Sequence, residues 1–123
     1  MFPTTHSCDA IVVTCIDFRF QKYIKDWLDT NLGDHAYDRV SLAGSIFDFP
    51  AILKQVEISN RLHHIQKVIL INHEECGAYG DQSTYKRHNH DLTQAKKQLT
   101  AQFPHLAVQL YYLHKDGTFE QVS

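Results

Sequence analysis

Apolar residues run almost unbroken through Ala10–Ile16 (AIVVTCI) and Lys67–Asn72 (KVILIN), the pattern of strands buried on both faces. YDRVSLAG at 37–44 and LAVQLYYL at 106–113 predict two more strands, the first ending at Gly44. Between these segments the period changes. Tyr23, Ile24, Trp27, Leu28 and Leu32 recur at helical spacing, with Gly33 behind them as a C-terminal stop. Asp48 and Pro50 predict the start of a second helix whose Ile52, Leu53, Val56 and Leu62 face a core. Leu92, Ala95, Leu99 and Phe103 predict a third, stopped near Pro104. HKDGTFEQV then carries an Asp-Gly turn and a short returning strand.

Strand and helix alternate, which predicts an α/β fold: a mostly parallel central β-sheet of four to five strands flanked by helices. With 123 residues the chain fits a single domain, 1–123. Hydrophobic residues make up 43% and charged residues 21%, enough for an ordinary core. A net charge of −2 offers no electrostatic footprint for nucleic acid or an anionic membrane. No apolar run reaches the ~20 residues of a membrane span. MFPTTHSCDA has neither the charged start nor the long apolar run of a signal peptide, so the expected location is cytoplasmic. Three cysteines in such a chain favour metal binding or catalysis over disulfides.

In parallel sheets ligands collect at the carboxyl ends of strands. The first strand ends in TCIDFRF, and alternation would set Cys15, Asp17 and Arg19 on one side of an extended chain. The third ends in NHEECGAYG, where His73 and Cys76 lie close enough to share a metal ion. Cys15 could supply a third ligand from the neighbouring strand end. Two thiolates and an imidazole suit zinc, and three protein ligands leave a fourth position open, as in catalytic sites. A carboxylate such as Asp17 could orient water at that position, or close it. Arg19 could grip the carboxylate with two hydrogen bonds and hold it away.

CIDFR and HEECG resemble the Cys-x-Asp-x-Arg and His-x-x-Cys-Gly signatures of the β-class carbonic anhydrases. The resemblance extends diffusely from about Ala10 to the C-terminus, including LYYLHKDGTFEQV as the last strand and turn. It implies one zinc ion per chain on Cys15, His73 and Cys76, an Asp17–Arg19 dyad, and hydration of CO2 to bicarbonate. It also implies a homodimer or higher homo-oligomer in which a partner wall completes the pocket. The chain departs from the family in three places. It is short before the first strand, where a helical arm is usual; it has no Gln there, with His6 near the place; and Ser41-Leu42 replaces an Arg-Asn pair. These departures keep two further readings open: a non-catalytic zinc-binding protein, and a hydrolase of CS2 or COS using the same chemistry. A redox pair of Cys15 and Cys76 is a third, but it gives His73, Asp17 and Arg19 no joint role.

Other chemistry-bearing residues carry less. His63 and His64 are expected at a helix end, where positive charge is welcome. His88 and His90, in polar YKRHNHD, are expected in a solvated loop. Cys8 lies before the first strand and reads as a spare thiol. Glu74 and Glu75 are expected to face solvent or a partner chain, and Phe18 and Tyr79 to wall the pocket or pack.

Overall fold

The computed structural model describes residues 6–123. Five strands form one sheet: β1 (Ala10–Cys15), β2 (Tyr37–Leu42), β3 (Lys67–His73), β4 (Ala107–Leu113) and β5 (Phe119–Val122). Their order is β2-β1-β3-β4-β5; the first four are parallel, and β5 returns antiparallel to β4. Three helices connect them: α1 (Gln21–Asn31), α2 (Phe49–His63) and α3 (Tyr85–Gln102).

The unbroken apolar runs follow from helices on both faces. Val12, Ile69, Ile71 and Leu113 pack on one face against Ile24, Leu28 and Leu32 of α1 and the loop after it. Ile11, Val13, Val68, Leu70, Val108 and Leu110 pack on the other against Ile52 and Val56 of α2 and Leu92, Ala95 and Leu99 of α3. Every residue of β1 is buried, because alternate side chains go to different helical layers.

The chain stops its helices locally. Gly33 follows α1 at φ 55° and donates its N–H to the Leu28 carbonyl at 3.3 Å. His64 ends α2 in the left-handed region at φ 53°. Thr84 opens α3, its Oγ1 accepting the Arg87 N–H at 3.1 Å.

Four expectations need correction. The first strand ends at Cys15; Ile16 lies beyond it and is 58% exposed. Leu62, expected to face the core, is 48% exposed. Asp48 precedes α2 but makes no side-chain capping bond. The stretch 85–91 is the first two turns of α3 rather than a loop, and His88 within it is fully buried, while His90 faces solvent.

Candidate metal centre

β1 and β3 are parallel neighbours, so their last residues, Cys15 and His73, emerge at the same end of the sheet. Cys76 follows His73 in a tight loop that passes through Glu75 at φ 57°. The two sulfurs and a ring nitrogen of His73 all lie within 4.8 Å of one another, and all three residues are buried. The His73 ring packs on Phe20, with centroids 4.1 Å apart. Its Nδ1–H donates to the Glu74 carbonyl at 2.7 Å, which leaves the lone pair on Nε2. That Nε2 is buried and, among the described residues, has no hydrogen-bond partner. A buried polar atom without a partner is costly, and a metal ion held by the three donors would offset that cost.

The thiols fit the same reading. Each thiol shifts the other, Cys15 down and Cys76 up, so Cys15 is the readier of the two to become a thiolate. The Gly44 N–H donates to Cys15 Sγ at 3.3 Å. Gly44 sits at φ 85°, and a Cβ there would meet Phe47 Cβ at 2.6 Å and Ala78 Cβ at 3.0 Å. Only glycine brings the backbone this close to the sulfur.

Asp17 and Arg19 reach the centre by a turn, not by strand alternation. Beyond Cys15 the chain enters a single 3-10 turn, Phe18–Phe20, with Asp17 Oδ1 accepting the Arg19 N–H at 3.0 Å. The Arg19 guanidinium then folds back on the carboxylate, with Nε at 3.1 and 3.2 Å and Nη2 at 2.7 Å. Nη2 also donates to the Glu75 carbonyl at 3.0 Å, so Arg19 ties the β1 end to the Cys76 loop. These bonds from Arg19 hold the Asp17 carboxyl below its usual range. Its Oδ2 lies 3.8 Å from His73 Nε2. Gln21 braces the turn through Nε2, donating to the carbonyls of Cys15 (3.1 Å) and Asp17 (2.8 Å).

Glu74 and Glu75 do more than face solvent. Their carbonyls accept from His73 and Arg19, and their carboxylates tie the loop to the segment after β4. Lys115 N–H donates to Glu74 at 2.9 Å, and Lys115 Nζ to Glu75 at 2.8 Å. Behind the centre lies a polar cluster that sequence reasoning missed. The Cys76 N–H donates to Ser83 Oγ at 2.8 Å, and Ser83 Oγ lies 2.9 Å from His88 Nε2. With Asn72 Nδ2 donating to His88 Nδ1 at 2.9 Å, the ring's Nε2–H points at Ser83. Burial, with the His73 ring adding, pushes His88 from its ordinary 6.5 to about 4, so it is neutral near pH ~7. Tyr79 belongs here too, its hydroxyl donating to Asp91 at 2.9 Å. A signal for His88 was present: 88, 92, 95 and 99 form one helical stripe.

In front of the centre is an open cleft of about 360 Å³, lined by Ile16, Asp17, Phe18, Ala43, Gly44 and Ala78 among others. Phe18, on the cleft wall, is 86% exposed, and Phe47, packed on Tyr79, is 47% exposed. The structure therefore brings Cys15, Asp17, Arg19, His73 and Cys76 together, and leaves Cys8 at the opposite end of β1.

Solved structures with the same fold include a carbonic anhydrase from Glaciozyma antarctica, at TM-score 0.69 and 16% identity, covering 98% of this chain and 85% of that one. A β-carbonic anhydrase isoform from Trichomonas vaginalis aligns at TM-score 0.67 and 12% identity, covering 99% and 87%. Among sequences, an uncharacterized protein of Rickettsia bellii is 29% identical over 97% of this chain and 84% of its own length. One from Rickettsia conorii is 28% identical over 97% and 74%. The family profile described as "Putative carbonic anhydrase" matches residues 5–123, and with nearly the whole chain covered the protein belongs to that family.

Proposed function

We propose that the chain is a zinc-dependent carbonic anhydrase, interconverting CO2 and bicarbonate, with one zinc ion held by Cys15, His73 and Cys76. The observation that carries this reading is the buried Nε2 of His73, without a hydrogen-bond partner among the described residues and within 4.8 Å of two buried sulfurs. Zinc held there would supply Lewis acidity, lowering the pKa of a water toward ~7. Both sulfurs would hold it as thiolates, and the Gly44 N–H offsets charge on Cys15. Asp17 accepts a hydrogen bond from the attacking water and so orients it. Arg19 keeps Asp17 ionised and clamped at 2.7 Å, on the guanidinium rather than among the three donors. The apolar walls Ile16, Phe18, Ala43 and Ala78 suit a small uncharged linear substrate.

The exposed Ile16 and Phe18 on the cleft wall support a homodimer, with a second copy walling the pocket. Sedimentation at micromolar concentration tests this, and a stable monomer counts against it. Among the described residues no helix is long and apolar enough to cross a membrane.

Stopped-flow CO2 hydration by the zinc-loaded protein tests the activity. A rate no faster than buffer refutes it. Turnover of CS2 or COS instead would assign a hydrolase, and full zinc with no turnover a non-catalytic zinc protein.

A further inference from the structure

At the other end of the sheet a second set of donors converges. Cys8 precedes β1, Asp38 is the second residue of β2, and His63 ends α2. A ligand atom from each lies within 4.8 Å of the other two, and all three residues are partly exposed. The backbone helps assemble them: the Cys8 N–H donates to the His63 carbonyl at 3.1 Å, and Ile11 and Asp38 are register partners across β1 and β2. Asp38 Oδ2 faces His63 Nδ1 at 2.6 Å and accepts the Ser59 hydroxyl at 2.7 Å. A fourth donor stands close by, the His6 ring, its centroid 4.8 Å from that of His63.

We infer that Cys8, Asp38 and His63 form a second metal site, distinct from the Cys15 centre, for a divalent ion of the zinc class. Sulfur, nitrogen and oxygen donors together select a borderline-soft ion over magnesium or calcium, which take oxygen alone. A thiol nucleophile is the rival use of a cysteine beside histidine and aspartate. Burial and the neighbouring Asp38 push the Cys8 thiol up, so it is no standing nucleophile, and a bound cation would have to displace its proton. The site's reach suits a staple. It joins the segment before β1 to the edge strand β2 and to the end of α2, three places far apart in sequence.

Metal counting on the full chain tests this. The protein is stripped with chelator, titrated with zinc, desalted, and its bound metal measured by mass spectrometry. The wild type should hold two equivalents and Cys8→Ser one. Cobalt(II) in place of zinc should show thiolate charge-transfer absorption that is reduced, not abolished, in Cys8→Ser. His63→Gln is a second variant with the same expectation, should Cys8→Ser fold poorly by circular dichroism. Two equivalents retained in both folded variants would overturn the inference. So would one equivalent in the wild type and one in Cys8→Ser, a result that leaves the Cys15 centre standing. One in the wild type and none in Cys8→Ser would support the second site and remove the first.

Discussion

Lowering the pH should destabilise this protein through one buried histidine. His88 is fully enclosed, and burial lowers it from its ordinary 6.5 to about 4. In the unfolded chain it takes a proton below pH ~6.5; in the fold it does so only near pH ~4. Between those values the unfolded state binds more protons, so stability is intact above pH ~6.5 and falls as pH drops toward 4. The gap corresponds to a penalty of about 3 kcal/mol when complete, with about 2 kcal/mol felt by pH ~5. Against a total stability of about 5–15 kcal/mol that loss is large. Urea unfolding of the metal-free chain between pH ~7 and ~5 measures it, with His88→Gln as reference. Gln can still pair with Ser83 and Asn72 but does not titrate. Metal-free protein keeps zinc release out of the curves, and titrating groups not coupled to His88 cancel in the comparison. Wild type should lose about 2 kcal/mol more than His88→Gln on acidification. Parallel profiles would refute the reasoning, and would mean that His88 takes up its proton without opening the fold.

Cys76→Ser should lose most zinc from the Cys15 centre and lower stability, because metal binding is coupled to folding; metal analysis checks it, and full retention in Cys76→Ala would rule the ligand out. Arg19→Ala should keep zinc, yet lower CO2 hydration per bound zinc by about 10–100-fold, since Asp17 then loses the clamp that sets its position. Unchanged turnover per zinc would reduce the Asp17–Arg19 pair to a strand-end salt bridge. Gly44→Ala combines a positive φ with a Cβ 2.6 Å from Phe47 Cβ, and should cost about 2–5 kcal/mol in urea unfolding. An unshifted midpoint would show that the loop has room to yield.

The strands and the donor set were legible because both depend on local pattern. Val12 and Val13 face different helical layers, and only an apolar run satisfies both. Cys15, His73 and Cys76 were legible from strand ends and the short spacing in HEECG. His88 was legible only as a member of the 88, 92, 95 and 99 stripe; its role was not, because its partners Asn72 and Ser83 are known only from the fold. Those partners come from β3 and the loop before α3, and no spacing rule links them. The grouping of Cys8 with Asp38 and His63 was hidden for the same reason: β1, β2 and α2 meet only in the fold.

The Asp17–Arg19 pair shows how a right grouping can rest on a wrong route. Alternation along a strand would have left Arg19 about two residues further from the centre, reaching into solvent. The chain turns instead at Asp17, whose carboxylate caps the turn that aims Arg19 back at it. One carboxylate therefore both builds the turn and faces His73. That dual use couples position to charge. Asp17 accepts a backbone N–H and the guanidinium while still lying 3.8 Å from the His73 nitrogen, and Arg19 is fixed in turn by the Glu75 carbonyl of the Cys76 loop. The two strand ends are thus bridged by Arg19, from the Asp17 turn to the Cys76 loop. A change to Arg19 should therefore loosen the dyad and the Cys76 loop together, which is why its effect must be read per bound zinc.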